Sequence, residues 1–140
     1  MANRDFKNVQ SSERAVKIVY GRATIGATGA PTLDASSSIG VRSITRTAAG
    51  DYTIILGSST PAASDKYSKL LWGDATIVEA DDTDLHAYLA ADTVSTDGTF
   101  KIICTAAATA TDPPDGSVLL FKAELKNTSV KLGACHERQR

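Results

Sequence analysis

The chain has 140 residues with 15 Lys+Arg against 16 Asp+Glu and a formal charge of −1, so no global field draws it to nucleic acid or an anionic membrane. Alanine, threonine and serine fill 50 positions while charged residues make up only 22%, which excludes the Glu/Lys/Leu-rich class of long helices and coiled coils. One domain of this length buries roughly two thirds of its unfolded surface, enough for a core without disulfide or metal staples.

Residues 1–13 keep no period of 3.6 or 2 and offer only Phe6 and Val9 as sizeable apolar groups, so they read as an N-terminal arm. From Arg14 onward Val16, Ile18 and Tyr20 share one face with Lys17 and Arg22 off it, a β-branched alternation that predicts a first strand. Gly21, Gly26, Gly29 and Pro31 then punctuate residues 21–38, which read as a long surface connection. A second strand runs from Ile39 to Arg46. Ala48-Ala49-Gly50-Asp51 joins it to a third, where Tyr52, Ile54 and Leu56 share a face, and two alternating runs around a short glycine-containing link predict a β-hairpin.

Residues 57–65 carry turn chemistry and precede Leu70-Leu71-Trp72 and Ala75 to Val78, read as two short strands or as one strand interrupted at Gly73-Asp74. A small helix over Ala62 to Leu71, capped by Ser64, is the weakest alternative. After the acidic link Glu79 to Asp84, Leu85, Ala87 and Leu89 alternate with His86 and Tyr88 up to Val94. Asp97-Gly98 turns the chain into Thr99 to Thr105, with Phe100, Ile102 and Cys104 on one face. Pro113-Pro114 bars a central strand from residues 106–116. In the last strand, Ser117 to Lys126, Leu119, Phe121, Ala123 and Leu125 oppose Val118, Leu120, Lys122 and Glu124. Seven or eight short strands without a convincing amphipathic helix predict one all-β domain over residues 14–130, an antiparallel β-sandwich or jelly roll, followed by a polar tail at 131–140.

No apolar stretch reaches the roughly 18–20 residues of a membrane helix, and Met1 to Arg14 lacks a signal peptide's apolar core. Folding in a cytoplasm with Cys104 and Cys135 as free thiols is therefore expected. Charge is uneven: residues 1–70 hold nine Lys/Arg against five Asp/Glu, and residues 71–140 six against eleven. Opposite-sign patches favour contacts between unlike surfaces of neighbouring copies, although interleaved strands make a mixed solvated surface the plainer reading.

Catalytic chemistry is sparse. Of two histidines, His86 lies in a strand and His136 in the tail, and no G-x-S-x-G elbow accompanies them. Cys135-His136 lacks the partners of a zinc site, and Asp81-Asp82-Thr83-Asp84 lacks the glycine and distal glutamate of a calcium loop, so no metal or other cofactor is expected. Asp112 and Asp115 read as turn formers around Pro113-Pro114. The Gly21, Gly26, Gly29 spacing has no Gly-Lys-Ser/Thr to cradle a phosphate. Arg42 and Arg46 share a face with Ile44 and make no basic cluster interleaved with aromatics, so nucleic-acid binding is not expected. Trp72, Tyr67 and Tyr88 are the candidates to line a sugar groove, against the commoner use of such residues as core or subunit contacts.

The run GATGAPTL from Gly26 to Leu33, GVRSITRT from Gly40 to Thr47 leading to GDYTI from Gly50 to Ile54, ATDPPDGS from Ala110 to Ser117, and LKNTS from Leu125 to Ser129 resemble small virion proteins of tailed bacteriophages, over roughly residues 14–130. In texture and order the chain is similar to capsid decoration, or cement, proteins. The resemblance implies a non-enzymatic β-rich homotrimer on the outer capsid surface, made in the host cytoplasm, whose partners are itself and the major capsid protein. It carries over no catalytic residue, and the tail with Cys135 and His136 departs from the pattern. Within this reading the arm is the capsid contact through Arg4, Phe6, Lys7 and Val9, with Phe6 packing and Arg4 or Lys7 pairing with lattice carboxylates. The alternatives are a tail-fibre or baseplate module that binds host-surface glycan, and a small hydrolase built on His86.

Overall fold

A computed structural model describes residues 16–57, 67–81 and 84–127. The arm, the tail and most of the 57–65 link therefore lie outside the described residues. Among the described residues nine strands form two antiparallel sheets: β1 (Val16–Ile25), β2 (Pro31–Leu33), β3 (Val41–Ala48), β4 (Asp51–Leu56), β5 (Tyr67–Val78), β6 (His86–Thr93), β7 (Thr99–Ala106), β8 (Thr109–Ala110) and β9 (Val118–Asn127). Sheet 1 has the order β2-β1-β9-β5, and sheet 2 the order β3-β4-β7-β6 with β8 paired to β7. A four-residue helical turn, α1 (Val94–Asp97), links β6 to β7 and ends on Gly98 with φ 71°. The fold is an all-β sandwich.

Strict alternation dictates which side chains are enclosed. Tyr52, Ile54 and Leu56 of β4, Phe100, Ile102 and Cys104 of β7, and Leu119, Phe121, Ala123 and Leu125 of β9 are all buried between the sheets, on the faces the sequence pattern predicts. Phe100 and Phe121 meet edge to face across the gap, with ring centroids 6.0 Å apart. One lateral opening is filled where Leu89 of β6 packs over Gly73 of β5. Opposite it, the 34–40 connection bridges the sheets through paired hydrogen bonds between Tyr20 and Ile39 and one from Gly57 N–H to the Gly40 carbonyl.

The structure corrects the reading of residues 14–38. β1 does not stop at Tyr20 but runs through Gly21 to Ile25, paired with β9 along its length. Its inward face is Val19, Gly21, Ala23 and Ile25, and Arg22 lies on the outward face with Tyr20. Gly21 sits directly opposite Phe121, whose ring occupies the space a Cβ there would need, so this glycine is a packing requirement inside a strand rather than punctuation. The residues from Tyr67 to Leu71 are strand, not helix. β5 is also one continuous strand, with irregularities at Tyr67/Lys69 and Leu70/Trp72 and none at Gly73-Asp74.

Cys104 is fully enclosed, and burial pushes its thiol up to about 12, with the Asp112 charge adding to the rise. Because the thiolate is the reactive species, native protein treated with a thiol reagent should leave Cys104 unmodified until the fold opens. Mass spectrometry of the labelled protein checks this, with Cys135 expected to react first; fast native labelling of Cys104 would contradict the packing.

Candidate functional site

Sheet 1 turns the even-numbered residues of β1, β9 and the second half of β5 outward. Register stacks them in rows: Ile18, Glu124 and Trp72, then Tyr20, Lys122 and Asp74, then Arg22, Leu120 and Thr76. Tyr20 is 44% and Trp72 49% exposed, and Ile39, bonded to Tyr20, is also in solvent. Single exposed apolar residues need no explanation, but aromatic side chains gathered on one sheet face mark an interaction surface. The Lys122 ammonium stands 5.7 Å from the centroid of both the Tyr20 and Trp72 rings, a cation–π pairing worth about 0.5–1 kcal/mol per ring at an exposed site. Among the described residues no carboxylate comes within 4.0 Å of that ammonium.

The 34–40 connection walls this face on one side. Arg22 donates its N–H to Ser38 Oγ at 3.1 Å, and its Nε lies 3.9 Å from Asp34 Oδ2. The Ser36 hydroxyl donates to Asp34 at 2.6 Å, and this bond, followed by that of Ser37, holds the Asp34 carboxyl below the usual range. The result is a solvent-open groove of about 380 Å³ whose lining includes Tyr20, Arg22, Ser37, Trp72, Asp74 and Lys122. Its volume falls in the range of small-molecule sites, roughly 300–1,000 Å³.

A second polar cluster centres on Asp112. Arg46 Nε and Nη2 donate to its two oxygens at 2.9 and 2.7 Å, and Gly50 N–H donates at 2.8 Å. The Tyr52 hydroxyl donates to the Gly29 carbonyl at 3.1 Å and stands 3.5 Å from Asp112 Oδ1. These bonds, that of Arg46 foremost, hold the Asp112 carboxyl below the usual range, while burial and then the nearby Asp112 charge push the Tyr52 hydroxyl above the ordinary tyrosine range. Asp112 is thus a clasp joining β3, the β3–β4 turn and the 111–117 link, not merely a turn former. The Arg46, Gly50 and Tyr52 donors converge on Asp112 and the Gly29 carbonyl, an arrangement that ties loops together.

The sequence candidates scatter. Arg4, Phe6, Lys7, Val9, Cys135 and His136 lie outside the described residues. His86 is exposed, 3.7 Å from the still more exposed Asp84 carboxylate, and faces away from the buried Cys104 on the neighbouring strand. No group of three or more His, Cys, Asp or Glu among the described residues is placed to hold a metal ion. Trp72 and Tyr88 are half-exposed rather than core, and Trp72 joins Tyr20 and Lys122, which no motif singles out. Comparison with protein-family models, curated proteins and solved structures returns no match.

Proposed function

We propose that the protein is a tailed-bacteriophage structural protein that decorates the outer face of an icosahedral capsid as a homotrimer, bridging major capsid protein subunits. The observation that carries this reading is the location of the chain's entry and exit. Val16 pairs with Lys126, and Tyr67 with Asn127, so residues 1–15, the C-terminal end of the 58–66 link and residues 128–140 all join sheet 1 at one pole. In this reading that pole grips neighbouring capsomers while the remainder of the sandwich faces outward. Separating the capsomers must then also break its contacts, and repeated weak attachments add through multivalency. In this reading the arm, with Arg4, Phe6, Lys7 and Val9, is the part of the chain that contacts the lattice.

Deleting residues 2–12 should leave a folded trimer by circular dichroism and light scattering, while its occupancy on undecorated shells of the same virus falls. What binding remains should be more salt-sensitive, because exposed charge pairs are screened within about 10 Å at 0.1 M salt. Truncated protein that decorates shells at full occupancy would overturn the role of the arm. Full-length protein that fails to bind them, or that stays monomeric at micromolar concentration, would overturn the wider reading.

A further inference from the structure

We propose that the groove on the outer face of sheet 1 binds a neutral pyranose sugar, stacked against Trp72 and held by Lys122 and Asp74. A pyranose presents a face of C–H bonds and a rim of hydroxyls, each able both to donate and to accept. The groove offers the matching halves. Half-exposed Trp72 and Tyr20 give negative π faces for polarised C–H bonds. The rim supplies donors in Lys122 and Arg22, an acceptor in Asp74, and the hydroxyls of Ser37 and Thr76.

Two further observations select this ligand. The rings hold the Lys122 ammonium between them, and among the described residues no ion pair or hydrogen bond consumes its N–H donors. Those donors are available to a ligand in the groove. The charged groups lining the groove are Arg22, Lys122 and Asp74, and two more carboxylates stand at its edge, Asp34 at 3.9 Å from Arg22 and Glu124 paired with Trp72. A polyanion would meet Asp74 inside the groove and Asp34 and Glu124 at its edge, and a purely apolar partner would bury several charges without compensation. An uncharged polyol meets neither cost. The open side of the groove lets one sugar of a longer chain enter, so a surface polysaccharide fits as well as a short oligosaccharide. The inference goes beyond the capsid reading and is tested on free protein without shells, so each can fail alone.

Trp72 is the chain's one tryptophan, which makes its emission a direct reporter. Neutral oligosaccharides of glucose, galactose, mannose and rhamnose, each titrated singly, should include at least one that shifts or quenches this emission saturably in the millimolar range. Heparin and inorganic phosphate should not. By calorimetry, Asp74→Asn and Lys122→Met, both on the solvent face, should each weaken that sugar about tenfold, and Trp72→Ala more, with circular dichroism unchanged. A polysaccharide of the same sugar tested beside the oligosaccharide distinguishes the two sources by its higher apparent affinity. Three results would overturn the proposal: no saturable response to any neutral pyranoside, preference for the polyanion, or dissociation of the oligomer by Trp72→Ala without sugar binding in the parent, which would make the face a contact between copies.

Discussion

Replacing Asp112 by alanine should lower the stability of the fold by about 2–4 kcal/mol, a large share of the roughly 5–15 kcal/mol that holds a domain together. The bidentate Arg46 pair is partly solvated, with side chains 34% and 24% exposed, so screening keeps its own contribution modest. The larger loss comes from the Gly50 N–H, part-buried and left without its acceptor, and from the release of the 111–117 link that Asp112 ties to β3. Asp112→Asn keeps the volume and one acceptor and should cost less. The acid response separates the two roles. The folded carboxyl lies below its ordinary value, so its stabilisation is complete above about pH 4–5 and is lost as pH falls through the folded value. Urea unfolding of the parent, Asp112→Asn and Asp112→Ala at pH 7 and pH 3 should therefore show both variants closer to the parent at pH 3. A deficit for Asp112→Ala below 0.5 kcal/mol at pH 7 would mean that the clasp is not holding the loop.

Gly50→Ala should be at least as damaging, about 3 kcal/mol or more. Gly50 has φ +67°, and a Cβ there would lie 2.5 Å from the Cys104 carbonyl oxygen and 2.6 Å from the Thr111 nitrogen, both backbone atoms that cannot rotate away. Gly116→Ala is the control. Its φ of +86° carries the conformational penalty, but the Cβ would meet only Ala80 at 3.6 Å, so about 1–2 kcal/mol is expected. Thermal unfolding of the two variants checks the difference, and equal midpoints would show that the hairpin turn relaxes to admit a methyl group.

Alternation revealed β4, β7 and β9 because each carries large apolar residues at every second position and buries them on one side. It failed at β1, where the inward residues Gly21 and Ala23 are small and the space over Gly21 is taken by Phe121 from the neighbouring strand. Local pattern then sees only a glycine and calls a halt. Asp112 was hidden for a different reason: its partners Arg46, Gly50 and Tyr52 lie 66, 62 and 60 residues away, and no window around Pro113 contains them. The Tyr20, Lys122 and Trp72 grouping depends on the register of three strands remote in sequence, which pleat and period leave open.

The shared pole of β1 and β9 also gives the sandwich a mechanical direction. Hydrogen bonds between antiparallel strands run across the strand axis, so a force that draws Val16 and Asn127 apart loads the first bonds of their ladder alone and peels the pair open like a zip. A force that pulls both strands the same way puts no tension between them, and the ladder from Val16/Lys126 to Thr24/Val118 moves as one body. An attachment that grips the segments on both sides of the domain together would therefore transmit load to the sandwich without opening it, whereas one that held them on separate, diverging neighbours would unfold it from its anchored end.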